Sequence, residues 1–214
     1  MIRFTLLLLL FCLLFLSPLV VLAFYSLSPS WAFPEIVPKT FTLRSFLFLQ
    51  THQKDILISI MSSCAYSFST ILLTFLITIL PARAFARYSF RGKNLLEGLF
   101  LTPALVPPMA FAMGAHYMFI HFGLADTFCG VVAILALFSY PYMLRALTAG
   151  YMACGEQFGQ CARNLGASSF TILYKIEFPL LLPAIVAGGS IVFLVSFSEY
   201  FLVMLIGGGT VPSY

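Results

Sequence analysis

Gln160-Cys161-Ala162-Arg163-Asn164-Leu165-Gly166, followed after nine residues by Ile176-Glu177-Phe178-Pro179, is a polar, glycine-punctuated stretch between two very apolar runs. Lipid gives such a stretch no energetic reason to exist. It is therefore a candidate for the place where the chain meets something in water. Gln157, Phe158, Cys161, Ala162 and Leu165 recur at spacings of three and four, the period of one helix face. Gly166 falls where that helix would end, because glycine adopts positive φ without strain. Ser168 or Ser169 can accept a bond from a free N–H and start a second helix. Phe170, Leu173, Tyr174 and Phe178 continue the apolar surface. The segment reads as helix, glycine turn, helix.

The rest of the chain is apolar. Of 214 residues, 61% are hydrophobic and 8% charged, with a mean hydropathy of +1.04. Soluble domains carry about 25% charged residues, so the solvent of this chain is a bilayer. About 20 apolar residues cross one. Five runs qualify, at about 4–25, 56–82, 98–120, 127–144 and 179–203. The expected fold is all-α, a polytopic transmembrane helix bundle in a single domain. The first run has an alternative as a signal peptide, since Val21-Leu22-Ala23 resembles a cleavage site. Its length of more than 20 residues exceeds the usual signal core of about 7–15 and favours a retained helix.

With the N-terminus in the cytoplasm, eight cations lie inside: Arg3, Arg83, Arg87, Arg91, Lys93, Arg145, Arg163 and Lys175. Only three, Lys39, Arg44 and Lys54, lie outside. The positive-inside bias puts the polar segment, 155–178, on the cytoplasmic side. The outer loop after the first run holds Trp31 and Thr40-Phe41-Thr42-Leu43-Arg44. It reads either as an interfacial aromatic cluster or as a short helix on the outer surface. Gly207-Gly208-Gly209-Thr210-Val211-Pro212 reads as a loop leading to a sixth span that this chain lacks.

The segment's spacing resembles the cytoplasmic signature of bacterial ABC import permeases: Glu-Ala-Ala, three residues, Gly, nine residues, Ile, one residue, Leu-Pro. Gln160, Cys161 and Phe178 are the departures, and every spacing matches. Pro103-Ala104-Leu105-Val106-Pro107-Pro108, Gly123-Leu124-Ala125-Asp126-Thr127 and Tyr140-Pro141-Tyr142 are similar to the subgroup that carries iron, thiamine, polyamines or sulfate. The resemblance implies an ABC importer permease fold. It further implies a coupling helix that docks on a separate ATPase through Gln160, Cys161, Ala162 and Gly166. The implied partners are an ATPase dimer, a second permease subunit and a solute-binding protein, in the bacterial inner membrane.

Polar groups within spans are expensive and tend to face the bundle interior. Ser196, Glu199, Tyr200 and His116 are the candidates for a pathway or gate. Glu199 follows twenty-one uncharged residues and is expected near the outer end of its helix. Pro107-Pro108 must interrupt the third run, since two backbone donors are missing. Gly188-Gly189, Ala184 and Ala187 allow close helix approach. No phosphate loop ending in Gly-Lys-Ser or Gly-Lys-Thr occurs, so ATP is expected on a partner rather than on this chain. Neither a catalytic constellation nor a metal or cofactor site is read, and scattered cations give no nucleic-acid face. The competing reading, an ion-gradient carrier or channel, has Glu199 as its only support.

Overall fold

The computed structural model describes residues 2–28, 31, 38 and 40–209. All the regular elements among them are helical. They fall into two units, Met1–Leu57 and Ile58–Tyr214. The sequence reading at 210–212 lies outside the described residues, whereas Gly207 closes the last helix.

The first unit contains α1 (Ile2–Leu27), α2 (Arg44–Thr51) and the start of α3 (Gln53–Arg87). From Leu10 to Leu22 the side chains of α1 point outward on every face. A helix apolar all round is stable when its surroundings are hydrocarbon. Beyond it the backbone N–H of Thr42 donates to the carbonyl of Leu27 at 2.7 Å. The Trp31 ring lies against Phe24 and Tyr25, at 6.1 and 4.9 Å between centroids.

The second unit is built around α6 (Phe128–Cys154), most of whose apolar window is buried. Thr127 starts it, its hydroxyl accepting from the N–H of Gly130 at 3.0 Å. Its 27 residues span about 40 Å at 1.5 Å each, enough to cross a bilayer. Against it lies α9 (Phe178–Ser198), antiparallel, at an interface of small residues. A Cβ at Gly150 would sit 2.5 Å from the Ala184 Cβ, and one at Gly188 would sit 2.9 Å from the Ala146 Cβ. Without a hydrophobic drive between helices in lipid, such close backbone contact supplies the attraction.

The rest of α3 packs on this pair. Its buried hydroxyls at Thr70, Thr74 and Thr78 each donate to the carbonyl four residues back, at 2.8, 2.8 and 2.6 Å. A polar stripe that looks costly in sequence is thus satisfied within its own helix.

The third apolar run is broken. A helix, α4 (Lys93–Leu101), passes through a tight turn at Thr102–Ala104, and α5 (Pro108–His121) then departs at 89°. The break falls at Pro107, with Pro108 in the first turn of α5, where its missing N–H is harmless. Counting this bent pair, the described residues hold up to five spans, four of them single helices. Two apolar clusters result. Tyr66, Ala112, Val131, Ile134, Leu202 and Ile206 pack at the end of α6 where it begins. Phe85, Met143, Leu147, Tyr151 and Leu181 pack towards the end where it stops.

Candidate functional site

Where α6 stops, Gly155 at φ 64° turns the chain into α7 (Gln157–Asn164). Gly166 then takes φ 83°. Its N–H donates to the carbonyl of Arg163 at 2.9 Å, and the N–H of Ala167 donates to the carbonyl of Ala162 at 3.0 Å. This pair of bonds is the Schellman closure, which satisfies the last carbonyls of a helix and requires a residue at positive φ. Ser168 is the cap of the next helix, its Oγ accepting from the N–H of Thr171 at 3.2 Å. That helix, α8 (Ser169–Ile172), widens into a π turn at Leu173–Glu177 and runs on as α9. Pro179 has no N–H for the carbonyl of Lys175, and the preceding turn opens, as π turns do where the i to i−4 ladder fails.

Gln160, Cys161 and Gly166 are exposed, whereas Ala162 is buried, so its side chain turns to the protein. Gln160 is tied: its Nε2 donates to Glu156 Oε2 at 3.1 Å, one turn back. The largest outward surfaces are apolar. Leu165 is 88% exposed and Phe158 59%. Phe170, Tyr174 and Phe178 form a stacked ladder with centroid spacings of 6.5 and 6.4 Å, and both Phe170 and Tyr174 face outward.

Behind this surface lies an ion cluster that the sequence reading did not single out. Arg83 Nη2 donates to Glu177 Oε1 at 3.0 Å. Arg87, one turn further along α3, lies 4.0 Å from the same oxygen and 3.9 Å from Glu156 Oε1. Its guanidinium sits over the Tyr151 ring, 5.9 Å from the centroid. Glu177 is only 6% exposed, and its Oε2 is buried without a hydrogen-bond partner. Arg83 and Arg87 entered the sequence reading only as topology charges. The available signal was Glu177 itself, the one acid between Glu156 and Glu199.

The pathway candidates lie elsewhere. Ser196 is fully buried, 3.4 Å from the hydroxyl of Ser139 on α6. Ser139 is the twelfth residue of α6, about 17 Å from its start. Glu199 follows α9, but the helix resumes as α10 (Phe201–Gly207), which returns to the start of α6. There the N–H of Asp126 donates to the carbonyl of Ile206 at 2.7 Å. Glu199 is thus at a break between two helices, beside the middle of α6. Its Oε1 accepts from the N–H of Leu202 at 3.3 Å, and it borders a cleft of about 190 Å³ with Pro103, Ser139, Tyr142 and Leu202. Tyr200 points outward, away from burial. His116 is half-buried on α5, its Nδ1 enclosed without a partner. It does not line the Glu199 cleft.

Broken helices around a largely apolar cleft that one carboxylate borders, and a two-helix segment between spans, describe a multi-pass membrane protein. Residues 75–213 match the model of the binding-protein-dependent transport system inner membrane component, and the chain belongs to that family. It is 30% identical over 139 residues to the spermidine/putrescine transport system permease protein PotC of Escherichia coli, covering 65% of this chain and 52% of that one. It is 25% identical over 155 residues to the molybdate/tungstate transport system permease protein WtpB of Pyrococcus abyssi, covering 72% and 62%. The chain thus spans between half and two thirds of these curated relatives. Its fold is similar to a chain in a crystal structure of a bacterial ABC transporter that imports the acidic polysaccharide alginate. The TM-score is 0.69 at 20% identity, over 96% of this chain and 73% of that one.

Proposed function

We propose that this chain is the permease subunit of an ATP-driven ABC importer, and that α7, the Gly166 turn and α8 form its coupling segment. The observation that carries this reading is the outward apolar surface of Phe158, Leu165, Phe170 and Tyr174 on a rigidly closed turn between two spans. An amphipathic helix with few cations suits a protein groove better than a lipid surface. The partner is an ATPase dimer in the cytoplasm, where the positive-inside bias puts the segment and the N-terminus. Gln160, Cys161 and Gly166 contact it, and the backbone of Ala162 holds the turn. ATP is bound and hydrolysed by that partner. The membrane is the bacterial inner membrane.

One bundle encloses half a pathway, so a second permease subunit completes it. A solute-binding protein delivers cargo on the outer side. Relatives are named for an oxyanion and for polyamines, solutes of opposite charge. Selectivity in this reading belongs chiefly to the binding protein. Glu199 and Ser196, beside the cleft at the middle of α6, form the gate, with Tyr200 and His116 on neighbouring surfaces. A tag on this chain is expected to retain an ATPase subunit through detergent purification. Retention of none, together with uptake that follows the proton gradient after ATP depletion, would favour the gradient-driven alternative that Glu199 alone supports.

A further inference from the structure

We infer that Glu177 is a positioning residue that locks the coupling segment to α3 through Arg83, so that the two move as one body. The inference rests on the coupling reading above. Four observations support it. The carboxylate is buried, and its bond to Arg83 spans 94 residues of sequence at 3.0 Å. Arg87 reaches both Glu177 and Glu156, which lie at the two ends of the segment. Gln160 extends the chain of contacts onto α7 by bonding Glu156. Gly159 of α7 keeps its backbone close to Glu177 Oε1, which a Cβ there would meet at 4.0 Å.

The segment is thus held at both ends by two arginines one turn apart on a single helix. A buried ion pair is a poor contributor to stability but is expensive to break by separation, because each half is then left uncompensated. It acts as a stiff link. A push on α7 therefore reaches α3, whose Tyr66 packs with Leu202 and Ile206 of α10 in one apolar cluster. Without the link, α7 keeps the turn at Gly155, its packing on α8 and the looser, half-exposed Arg87–Glu156 contact at 3.9 Å.

The test uses the complex purified through this chain, with the native cysteines replaced and nitroxides at Tyr88 and Asn164. Both sites are exposed, at the ends of α3 and α7. Inter-spin distances are measured by pulsed electron resonance, with and without ATP and vanadate. The intact link is expected to give one distance that nucleotide leaves unchanged. Arg83→Gln with Glu177→Gln removes both charges of the pair together, the second isosterically and the first with a shorter amide, so neither is left buried without the other. In that variant, nucleotide is expected to shift the distance by about 5 Å, one helical turn. Glu177→Asp, which keeps the charge but draws it back, is expected to give a partial shift. An unshifted distance in both variants overturns the inference, and so does an equal shift in the unmodified chain. Absence of an ATPase from the unmodified complex would remove the functional reading and this inference with it.

Discussion

Glu177 Oε1 lies 3.0 Å from Arg83 Nη2, joining the π turn after the coupling segment to the far end of α3. The carboxylate side chain is 7% exposed and the guanidinium 23%. Glu177→Ala leaves Arg83 and Arg87 facing a buried vacancy. The expected loss is about 3 kcal/mol, the low end for breaking a buried pair, because Arg83 keeps some contact with water. Adding Arg83→Ala is expected to recover part of it. Unfolding of the detergent-solubilised chain, compared across a double-mutant cycle, measures the coupling.

Gly166→Val puts a β-branched residue at φ 83°. The left-handed region costs such a residue at least roughly 1–2 kcal/mol, so the turn reopens and the end of α7 frays. ATPase recovered with the tagged chain is expected to fall about tenfold, the equivalent of 1.4 kcal/mol. Gly166→Asn, which tolerates that region, is expected to fall much less.

Gly150→Ala brings a methyl 2.5 Å from the Ala184 Cβ. The helices α6 and α9 must part, and overpacking of this kind costs about 1–3 kcal/mol. A lowered thermal midpoint is expected. Gly98→Ala, inside α4 with open space around its Cβ position, serves as control and should not lower the midpoint, since alanine is the better helix former.

Glu199 holds the start of α10 through the N–H of Leu202. Glu199→Ala is expected to lose about 1 kcal/mol, the usual value of a helix-starting side chain. Glu199→Gln keeps an acceptor and is expected to fold normally. If the cleft is the gate, Glu199→Gln lowers uptake while ATPase recovery stays the same. Equal uptake by the two chains would remove Glu199 from the gate.

The helical bundle was legible because lipid demands long apolar runs and closed backbone hydrogen bonding. The break at Pro107 was legible for the same reason, since two prolines remove two donors. Gly166 was legible because few residues accept its conformation. Glu199 was less so. Its distance from the preceding charge suggested an outer end, but α10 carries the helix onward, and hydropathy does not reveal where a helix pauses and resumes. The Arg83–Glu177 pair was hidden for another reason. Pairing across 94 residues depends on how α3 and α9 pack, and no local period records it.

The central claim is that the exposed face of the α7–α8 segment lies against an ATPase. Photo-crosslinking from a benzophenone side chain at Leu165, 88% exposed at the Gly166 turn, tests it most directly in intact cells. The account predicts an ultraviolet-dependent adduct between this chain and a nucleotide-binding subunit, weakened by Gly166→Val. An adduct with lipid alone, or with a protein of the outer side, would contradict it.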